Sequence, residues 1–382
     1  MKIRSITTGT SLQTFKETDK IQRAELFNQQ AKQIFQNHQY EVQTTRISTN
    51  PWEEYLQNIS PSEIIHQMQL LDKFCQNQNI SFFSIGYANH PENITLIPEI
   101  IKNTTNIFTS SKIGDIETGI NFNNIEASAK TIQEISKITP NGFGNFRFCA
   151  WANCQAGIPF FPASYHQGET SFSLALEYTD LVMAVFSQSG NLLEAEINLQ
   201  KVLNTEFEKI AEIAEKIAQQ FSIYYLGIDT SLAPPLNQKT SIAYAYESLL
   251  KNKFGDAGTL AVSGMLTRIL KTAQIQICGY SGLMLPVCED IGLTKRADEK
   301  IYNISNLLSY SAVCGCGLDT VPLPGNITQE SLSYLLLDIA TLAIKLNKPL
   351  SARLFPMPGK IAGEMTDFRS PYLVDCQIFA VQ

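Results

Sequence analysis

Apolar residues recur along this chain with two spacings, one typical of helices and one typical of strands. Between residues 17 and 39, apolar side chains stand among Gln, Lys and Glu at the three- and four-residue intervals of an amphipathic helix. Ser60, Pro61 and Glu63 form a helix start, with Ser60 as the N-cap and Glu63 closing a capping box. Residues 2–7 alternate like a strand. Both kinds of element are therefore expected early in the chain.

Short apolar runs and longer helical patterns alternate along the rest of the chain, including its last third. The predicted strands or extended segments are 80–86, 107–113, 143–153, 224–228, 275–278 and 350–355. The predicted helices are 91–103, 125–138, two or three within 171–219, 241–252, 259–273 and 329–346. Helices between strands leave room for the crossovers that parallel strands need. The sequence therefore predicts one large α/β domain over residues 1–382, with a weak subdivision near residue 220 as the alternative.

Composition and charge narrow the classes of partner. Of the 382 residues, 44% are hydrophobic and 17% are charged, which is enough apolar material for a large core. The formal net charge of -7 repels a phosphate backbone, so no nucleic-acid partner is expected. No apolar run approaches the roughly 18–20 residues of a membrane span, and residues 1–8 do not read as a signal peptide. A cytoplasmic protein with reduced cysteines, and no membrane partner, is predicted.

Ligands of parallel α/β folds bind beyond the carboxyl ends of the strands, so the loops that follow strands carry the candidate chemistry. Arg147 alternates with Asn153 and the residues between them, and this face is predicted to form a substrate-binding wall. The alternative is a structural strand whose arginine reaches outward. His166 follows a Pro- and aromatic-rich loop and is a catalytic candidate. The alternative for this histidine is a hydrogen-bonded structural role.

Two further loops offer a carboxylate and hydroxyl groups. Asp229 ends a strand and is followed by Ser231, which suits a general base with a substrate-binding hydroxyl beside it. An Asx turn explains Asp229 equally well. Tyr280 and Ser281 lie between glycines that permit a close approach to a ligand, so both are predicted to bind substrate. The loop matches no dinucleotide or P-loop pattern.

The segment from Cys314 to Cys316 is the most unusual of the chain, because alternating glycines favour an irregular loop. Such a loop carries a thiol into a cavity, so both cysteines are predicted to be catalytic, together with Asp319. Two small buried cysteines are the alternative. Arg353 and Lys360 flank a Pro- and Gly-containing turn and are predicted to hold an anionic substrate. The alternative for Arg353 is an internal salt bridge with Asp319 or Asp229.

Several of these segments together resemble the domain-of-unknown-function family 711, also known as UPF0210-like proteins. The segments that carry the resemblance are Lys2–Thr7, Asn145–Phe148, Pro159–His166, Gly227–Pro234, Cys278–Met284, Ala312–Asp319 and Arg353–Lys360. The resemblance implies a ten-stranded α/β barrel of the type found in pyruvate formate-lyase-like glycyl radical enzymes. It also implies, by analogy, that Cys314 and Cys316 lie on a finger loop in the centre of the barrel.

The end of the chain departs from the glycyl radical enzymes. Those enzymes carry an Arg-Val-x-Gly-Tyr type loop near the C-terminus, and residues 375–382 contain no such loop. A glycyl radical mechanism is therefore not expected, and the resemblance supplies no reaction.

The leading hypothesis is an enzyme that acts on a small anionic metabolite through the Cys-Gly-Cys loop. A second hypothesis is a metal-dependent hydrolase or lyase that uses Asp229, Glu289, Asp290 or Asp319 with His166. A third is a non-catalytic small-molecule sensor or an oligomeric scaffold. A homo-oligomer is expected, and the residues assign neither a cofactor nor a metal.

Overall fold

A computed structural model describes residues 1–56, 59–235 and 240–381 as a mixed α/β structure around one ten-stranded sheet. The strands are β1 (Lys2–Thr10), β2 (Val42–Thr49), β3 (Phe83–Ala88), β4 (Ile107–Asp115), β5 (Gly119–Ile120), β6 (Phe148–Ala152), β7 (Ser171–Glu177), β8 (Tyr224–Asp229), β9 (Gly317–Pro324) and β10 (Leu350–Met357). The prediction of an α/β fold is thereby confirmed.

The helices cover the sheet and connect its strands. They are α1 (Thr18–Asn37), α2 (Trp52–Tyr55), α3 (Pro61–Asn77), α4 (Pro91–Ile94), α5 (Ile97–Asn103), α6 (Phe122–Ile138), α7 (Thr179–Gln188), α8 (Leu192–Phe221), α9 (Ile242–Leu250), α10 (Thr259–Lys271), α11 (Ile291–Asp298), α12 (Ile304–Ser311) and α13 (Gln329–Lys345). Short 3-10 helices occupy Pro140–Arg147 and Val287–Glu289. As predicted, Ser60 caps α3 by accepting a hydrogen bond from the Glu63 amide at 3.3 Å.

The sheet contains two groups of strands that run in opposite directions. Its order is β8-β7-β1-β2-β3-β4-β6-β10-β9, with β5 paired to β4. Strands β1, β2, β3, β4 and β6 are mutually parallel, whereas β7 pairs antiparallel with β1 and β10 pairs antiparallel with β6. Strands β8 and β9 each run parallel to their neighbours. One edge of the sheet therefore mixes the starts of some strands with the ends of others.

The sheet is not closed, and the predicted barrel is not confirmed. The ladder order ends at β8 on one side and at β9 on the other. Single bridges cross this gap: Ile277 pairs with Ile228 of β8, and Pro286 pairs with Asp319 of β9. The segment between Ile277 and Pro286 thus passes from one terminal strand to the other without forming a ladder. The strand predicted at 275–278 is correspondingly reduced to one isolated bridge.

Three other local predictions were wrong for identifiable reasons. The helix predicted at 91–103 is two helices, because Pro98 lacks the amide that would continue α4 into α5. The segment 143–153 is extended only from Phe148 onward, after a 3-10 helix whose Asn141 and Gly142 have φ values of 52° and 67°. The region 171–219, predicted as helices, begins with strand β7.

One hydrophobic core cluster draws residues from both ends of the chain, from Ile3 to Phe379. No helix within the described ranges is long and apolar enough to cross a membrane. The single domain, the cytoplasmic location and assembly as a homo-oligomer stay predictions.

Candidate functional site

A cavity of about 450 Å³ collects charged, aromatic and thiol side chains from widely separated parts of the chain. Its charged lining residues are Lys2, Arg4, Arg46, Glu177, Glu289, Asp319 and Arg353. Its aromatic lining residues are Phe82, Phe108, Phe146, Phe160, Phe161, Tyr280 and Tyr372. Two thiols, Cys149 and Cys316, also line it. A polar pocket with an aromatic lining is the usual form of a small-molecule site.

The position of the cavity differs from the predicted one. Lys2 and Arg4 lie at the start of β1 and Glu177 ends β7, whereas Asp319 and Arg353 lie within β9 and β10. The expectation that only carboxyl ends of strands carry the site holds for sheets whose strands are all parallel. Here the antiparallel junctions bring both kinds of strand end to one cavity.

Two arginines and three carboxylates form a continuous chain of ion pairs in the cavity. Arg353 donates to Asp319 at 2.7 Å and to Glu289 at 2.6 Å. Arg4 lies 2.9 Å from Glu289 and 3.6 Å from Glu177. Burial alone would lower the pKa of Arg353, but the charges of Asp319 and Glu289 raise it. The internal salt bridge considered for Arg353 is thus present with Asp319.

Arg46 lines the same cavity, and it has no acidic partner among the residues that the structure describes. The residue is 9% exposed, and its Nε donates to Thr44 Oγ1 at 3.1 Å. Its guanidinium carbon lies 5.2 Å from the ring centre of Phe82 and 5.4 Å from that of Phe161. Among the residues that the structure describes, no carboxylate lies within 4.0 Å of its nitrogens, and Pro159 O, at 3.4 Å, is its other acceptor. Burial, with the charge of Arg4 adding to it, lowers the pKa of Arg46 to about 9.

The Cys-Gly-Cys loop reaches the cavity through close contacts between main chains. Gly315 donates to the Leu283 carbonyl at 2.8 Å, and a Cβ atom on Gly315 would lie 2.6 Å from Gly282 Cα. Ser351 of β10 donates to the Cys316 carbonyl at 2.8 Å. Cys316 therefore lies in the lining of the cavity, whereas Cys314 is buried outside the lining.

The two thiols of this loop have opposite tendencies to ionise. A hydrogen bond from Cys316 lowers the pKa of Cys314 to about 6 against the effect of burial, and the charge of Lys348 acts in the same direction. Hydrogen bonding to Cys314, together with burial, raises the pKa of Cys316. Lys348 donates its Nζ to the Cys314 carbonyl at 2.5 Å. The pair therefore favours a thiolate at Cys314 and a thiol at Cys316.

Asp229 is fully buried and does not line the cavity. Its carboxylate accepts hydrogen bonds from the amide and hydroxyl of Ser231 at 3.0 and 2.6 Å. It also accepts from the amides of Tyr280 and Ser281, each at 2.9 Å. Burial raises the pKa of Asp229 to about 6. The Asx turn considered for Asp229 is present, and the carboxylate fixes the loop that places Tyr280 in the cavity.

Arg147 lies away from the cavity, at the end of a 3-10 helix. It donates to the carbonyls of Ile101 and Ile107 at 2.5 and 3.2 Å and to Thr104 Oγ1 at 3.1 Å. The guanidinium thus holds the end of α5 to the start of β4, a structural role that differs from the outward-reaching strand arginine considered as the alternative.

Three other predicted residues also lie outside the cavity lining. Asn153 donates to Asn347 Oδ1 at 3.1 Å. His166 is 1% exposed, and its Nε2 lies 3.1 Å from the Gly168 carbonyl. Lys360 donates to a main-chain carbonyl at 2.5 Å. Of the predicted site residues, the structure therefore brings Cys316, Asp319, Arg353 and Tyr280 to the cavity.

Sequence reasoning missed Arg4, Arg46 and Glu177, because they lie on strands rather than in Gly- or Pro-rich loops. A charged residue inside a strand with buried neighbours was the available signal: Arg46 stands directly before a buried run that ends β2.

The acidic pair Glu289-Asp290 divides between two roles. Glu289 lines the cavity, whereas Asp290 caps α11 by accepting from the Leu293 amide at 2.8 Å. Within ranges 1–56, 59–235 and 240–381, no group of three or more His, Cys, Asp or Glu side chains is arranged to hold a metal ion. Of the residues in the metal-dependent hypothesis, Glu289 and Asp319 line the cavity, whereas Asp229, Asp290 and His166 do not.

Comparison with known proteins gives one family. The model of a family described as "Uncharacterised ACR (DUF711)" matches residues 1–370. A UPF0210 protein of Neisseria gonorrhoeae is 26% identical over 357 residues, which is 88% of this chain and 79% of the relative. A UPF0210 protein of Oenococcus oeni is 26% identical over 358 residues, with the same coverage. One of Actinobacillus pleuropneumoniae is 27% identical over 342 residues, covering 85% of this chain and 75% of the relative.

These matches extend over nearly all of the chain, including every strand that lines the cavity, and they agree with the resemblance carried by the ordered loop segments. The chain therefore belongs to the DUF711 family, whose members of the UPF0210 group are its relatives.

Proposed function

We propose that this protein is an enzyme that binds a small anionic molecule in the cavity and acts on it through Cys316. The observation that supports an anionic ligand is the environment of Arg46. Its guanidinium is buried and has no carboxylate partner among the described residues. Leaving a buried charge unpaired is costly. A negatively charged ligand beside Arg46 would remove that cost, so binding would be favoured.

The Cys-Gly-Cys loop supports the catalytic part of the proposal. Cys316 lines the same cavity as Arg46, and it is hydrogen-bonded to Cys314, which favours the thiolate form. As the Cys316 sulfur bonds to an electrophilic carbon of the ligand, its proton would pass to the Cys314 thiolate, which acts as a general base and ends as a neutral thiol. Thiolates, not thiols, attack electrophilic carbon atoms. Lys348 stabilises the charge while it rests on Cys314.

The test begins with a library of anionic metabolites, screened for ligands by thermal shift and for conversion by mass spectrometry. The ligand found is then measured on Arg46→Met and Cys316→Ser. We expect Arg46→Met to weaken binding at least tenfold and Cys316→Ser to keep binding but lose turnover. Cys75→Ser replaces a buried thiol outside the cavity and serves as the control.

Three results would contradict parts of this proposal. Unchanged binding by Arg46→Met would remove the anion site. Unchanged turnover by Cys316→Ser would remove the thiol from the mechanism. Binding of a ligand that the wild-type protein never converts would make the protein a sensor rather than an enzyme.

A further inference from the structure

The charges of the cavity nearly cancel before any ligand is bound. Arg4 and Arg353 alternate with the carboxylates Glu177, Glu289 and Asp319 in the chain of ion pairs. The lysine of the lining, Lys2, pairs with a glutamate outside the cavity at 2.8 Å. Within the described part of the chain, Arg46 is then the lining cation that has no carboxylate partner.

This balance limits the charge of a ligand. One negative group beside Arg46 would satisfy the unpartnered guanidinium. A second negative group in a cavity of about 450 Å³ would lie near Glu177, Glu289 or Asp319, which line the same space. Like charges held at short range in a partly dry site repel strongly. The lining therefore favours a monoanion over a dicarboxylate or a phosphate monoester.

Aromatic rings surround the unpartnered guanidinium. Phe82 and Phe161 lie on Arg46 at 5.2 and 5.4 Å. Phe108 lies 5.5 Å from the Phe82 ring centre and 5.3 Å from that of Phe161, so the three rings are continuous. All three rings line the cavity. A flat aromatic body next to a carboxylate would contact these rings while its charge meets Arg46.

We propose that the natural ligand is an aromatic monocarboxylate, with its carboxylate on Arg46 and its ring against Phe82, Phe108 and Phe161. This inference rests on the proposed anion-binding function and specifies its substrate class. The volume of about 450 Å³ lies within the range of roughly 300–1,000 Å³ that is usual for small-molecule pockets. Cys316 lines the same cavity and faces such a ligand from outside the aromatic cluster.

The test uses four probes that separate charge from aromaticity. Isothermal titration calorimetry on the full chain compares 2-naphthoate, neutral 2-naphthamide, dianionic 2,6-naphthalenedicarboxylate and non-aromatic octanoate. We expect 2-naphthoate to bind at least tenfold more tightly than each of the other three. The Arg46→Met variant should bind 2-naphthoate and 2-naphthamide with equal affinity. The Phe161→Leu variant should bind 2-naphthoate at least threefold more weakly than wild type, with unchanged affinity for octanoate.

These measurements distinguish failure of this inference from failure of the proposed function on which it rests. Equal or tighter binding of the dicarboxylate or of octanoate, still dependent on Arg46, would overturn the aromatic monoanion and leave the anion site standing. Failure of the four probes and of every anion in the metabolite library to bind in an Arg46-dependent way would overturn both. Near-ultraviolet circular dichroism of each variant identifies a loss of fold, and preserved affinity of Arg46→Met for 2-naphthamide shows that its cavity is intact.

Discussion

Two arginine–aspartate pairs of this protein occupy opposite surroundings. In the cavity, Arg353 and Asp319 lie 2.7 Å apart with side chains 9% and 18% exposed. Near the end of the chain, Arg369 and Asp367 lie 3.0 Å apart with side chains 80% and 40% exposed. Water screens the second pair but reaches little of the first. The same type of ion pair is therefore expected to affect stability more in the cavity than at the surface.

We expect Arg353→Met to lower the free energy of unfolding by about 3–5 kcal/mol, because Asp319 would keep a buried charge without its partner. Arg369→Met should leave it nearly unchanged, because water and salt screen an exposed ion pair. Urea unfolding of both variants, followed by tryptophan fluorescence, measures the difference. Equal losses in the two variants would contradict the assigned role of burial.

At this scale the sequence identified residues that stand in unusual motifs. The Cys-Gly-Cys segment and the strand containing Arg353 attract notice because of their glycines, prolines and thiols, and both reach the cavity. Arg4 and Arg46 were not predicted as site residues, because a lone arginine in a strand commonly faces solvent. Only the pairing of strands shows that these arginines face an enclosed space.

At the scale of elements, two loops meet through glycine. The glycines of the 278–284 segment were predicted to let main chain approach a ligand, but the close approach is to protein. Gly282 and Gly315 bring their Cα atoms together with no room for a Cβ, and this contact positions Cys316.

Gly315→Ala is therefore expected to lower the free energy of unfolding by about 1–3 kcal/mol, since its Cβ would lie 2.6 Å from Gly282 Cα. It should also move Cys316, which slows alkylation or turnover at this thiol. Gly264→Ala in α10 is the control: its nearest contact is Val313 Cβ at 3.9 Å, and the helix should gain roughly 0.5–1 kcal/mol. Calorimetric melting temperatures compare the two. A Gly315→Ala protein as stable as wild type would show that the loops separate easily.

Helices were more predictable than strands at this scale. Helices α1, α3 and α13 have one buried and one exposed face, so their periodicity is visible in the sequence. Strand β7 is buried along its entire length, and such a run looks like part of a buried helix. Strand β9 carries Gly317 and two prolines, residues that are unfavourable in strands, and no strand was predicted there.

At the scale of the molecule, one fully buried carboxylate couples stability to pH. Burial raises the pKa of Asp229 from 3.8 to about 6, so the folded protein holds this proton more tightly than the unfolded chain. Its stabilising contribution is full below about pH 4 and is lost as pH rises through about 6.

The difference in unfolding free energy between wild type and Asp229→Asn isolates this group, because other carboxylates titrate equally in both proteins. We expect wild type to lose about 3 kcal/mol relative to Asp229→Asn between pH 4 and pH 7. Denaturant unfolding across this range measures it. A constant difference for Asp229→Asn would mean that its four hydrogen bonds offset the cost of burial.

The direction of the strands was the part of the whole fold that sequence could not supply. Alternating helices and strands predicted parallel pairing throughout, and six of the eight neighbouring pairs in the order from β8 to β9 obey that rule. The reversals at β1/β7 and β6/β10 depend on pairings between distant segments, for which local pattern carries no information.

The positions of the ion-paired residues along the sequence set the order in which they become available during synthesis. Glu289 and Asp319 leave the ribosome before their shared partner Arg353, which belongs to β10. Until β10 docks against β6 and β9, Glu289 can pair with Arg4, but Asp319 lacks its arginine and its burial is disfavoured. The pocket is therefore completed late, and a polypeptide interrupted before residue 350 would leave Asp319 without the cation that permits its burial.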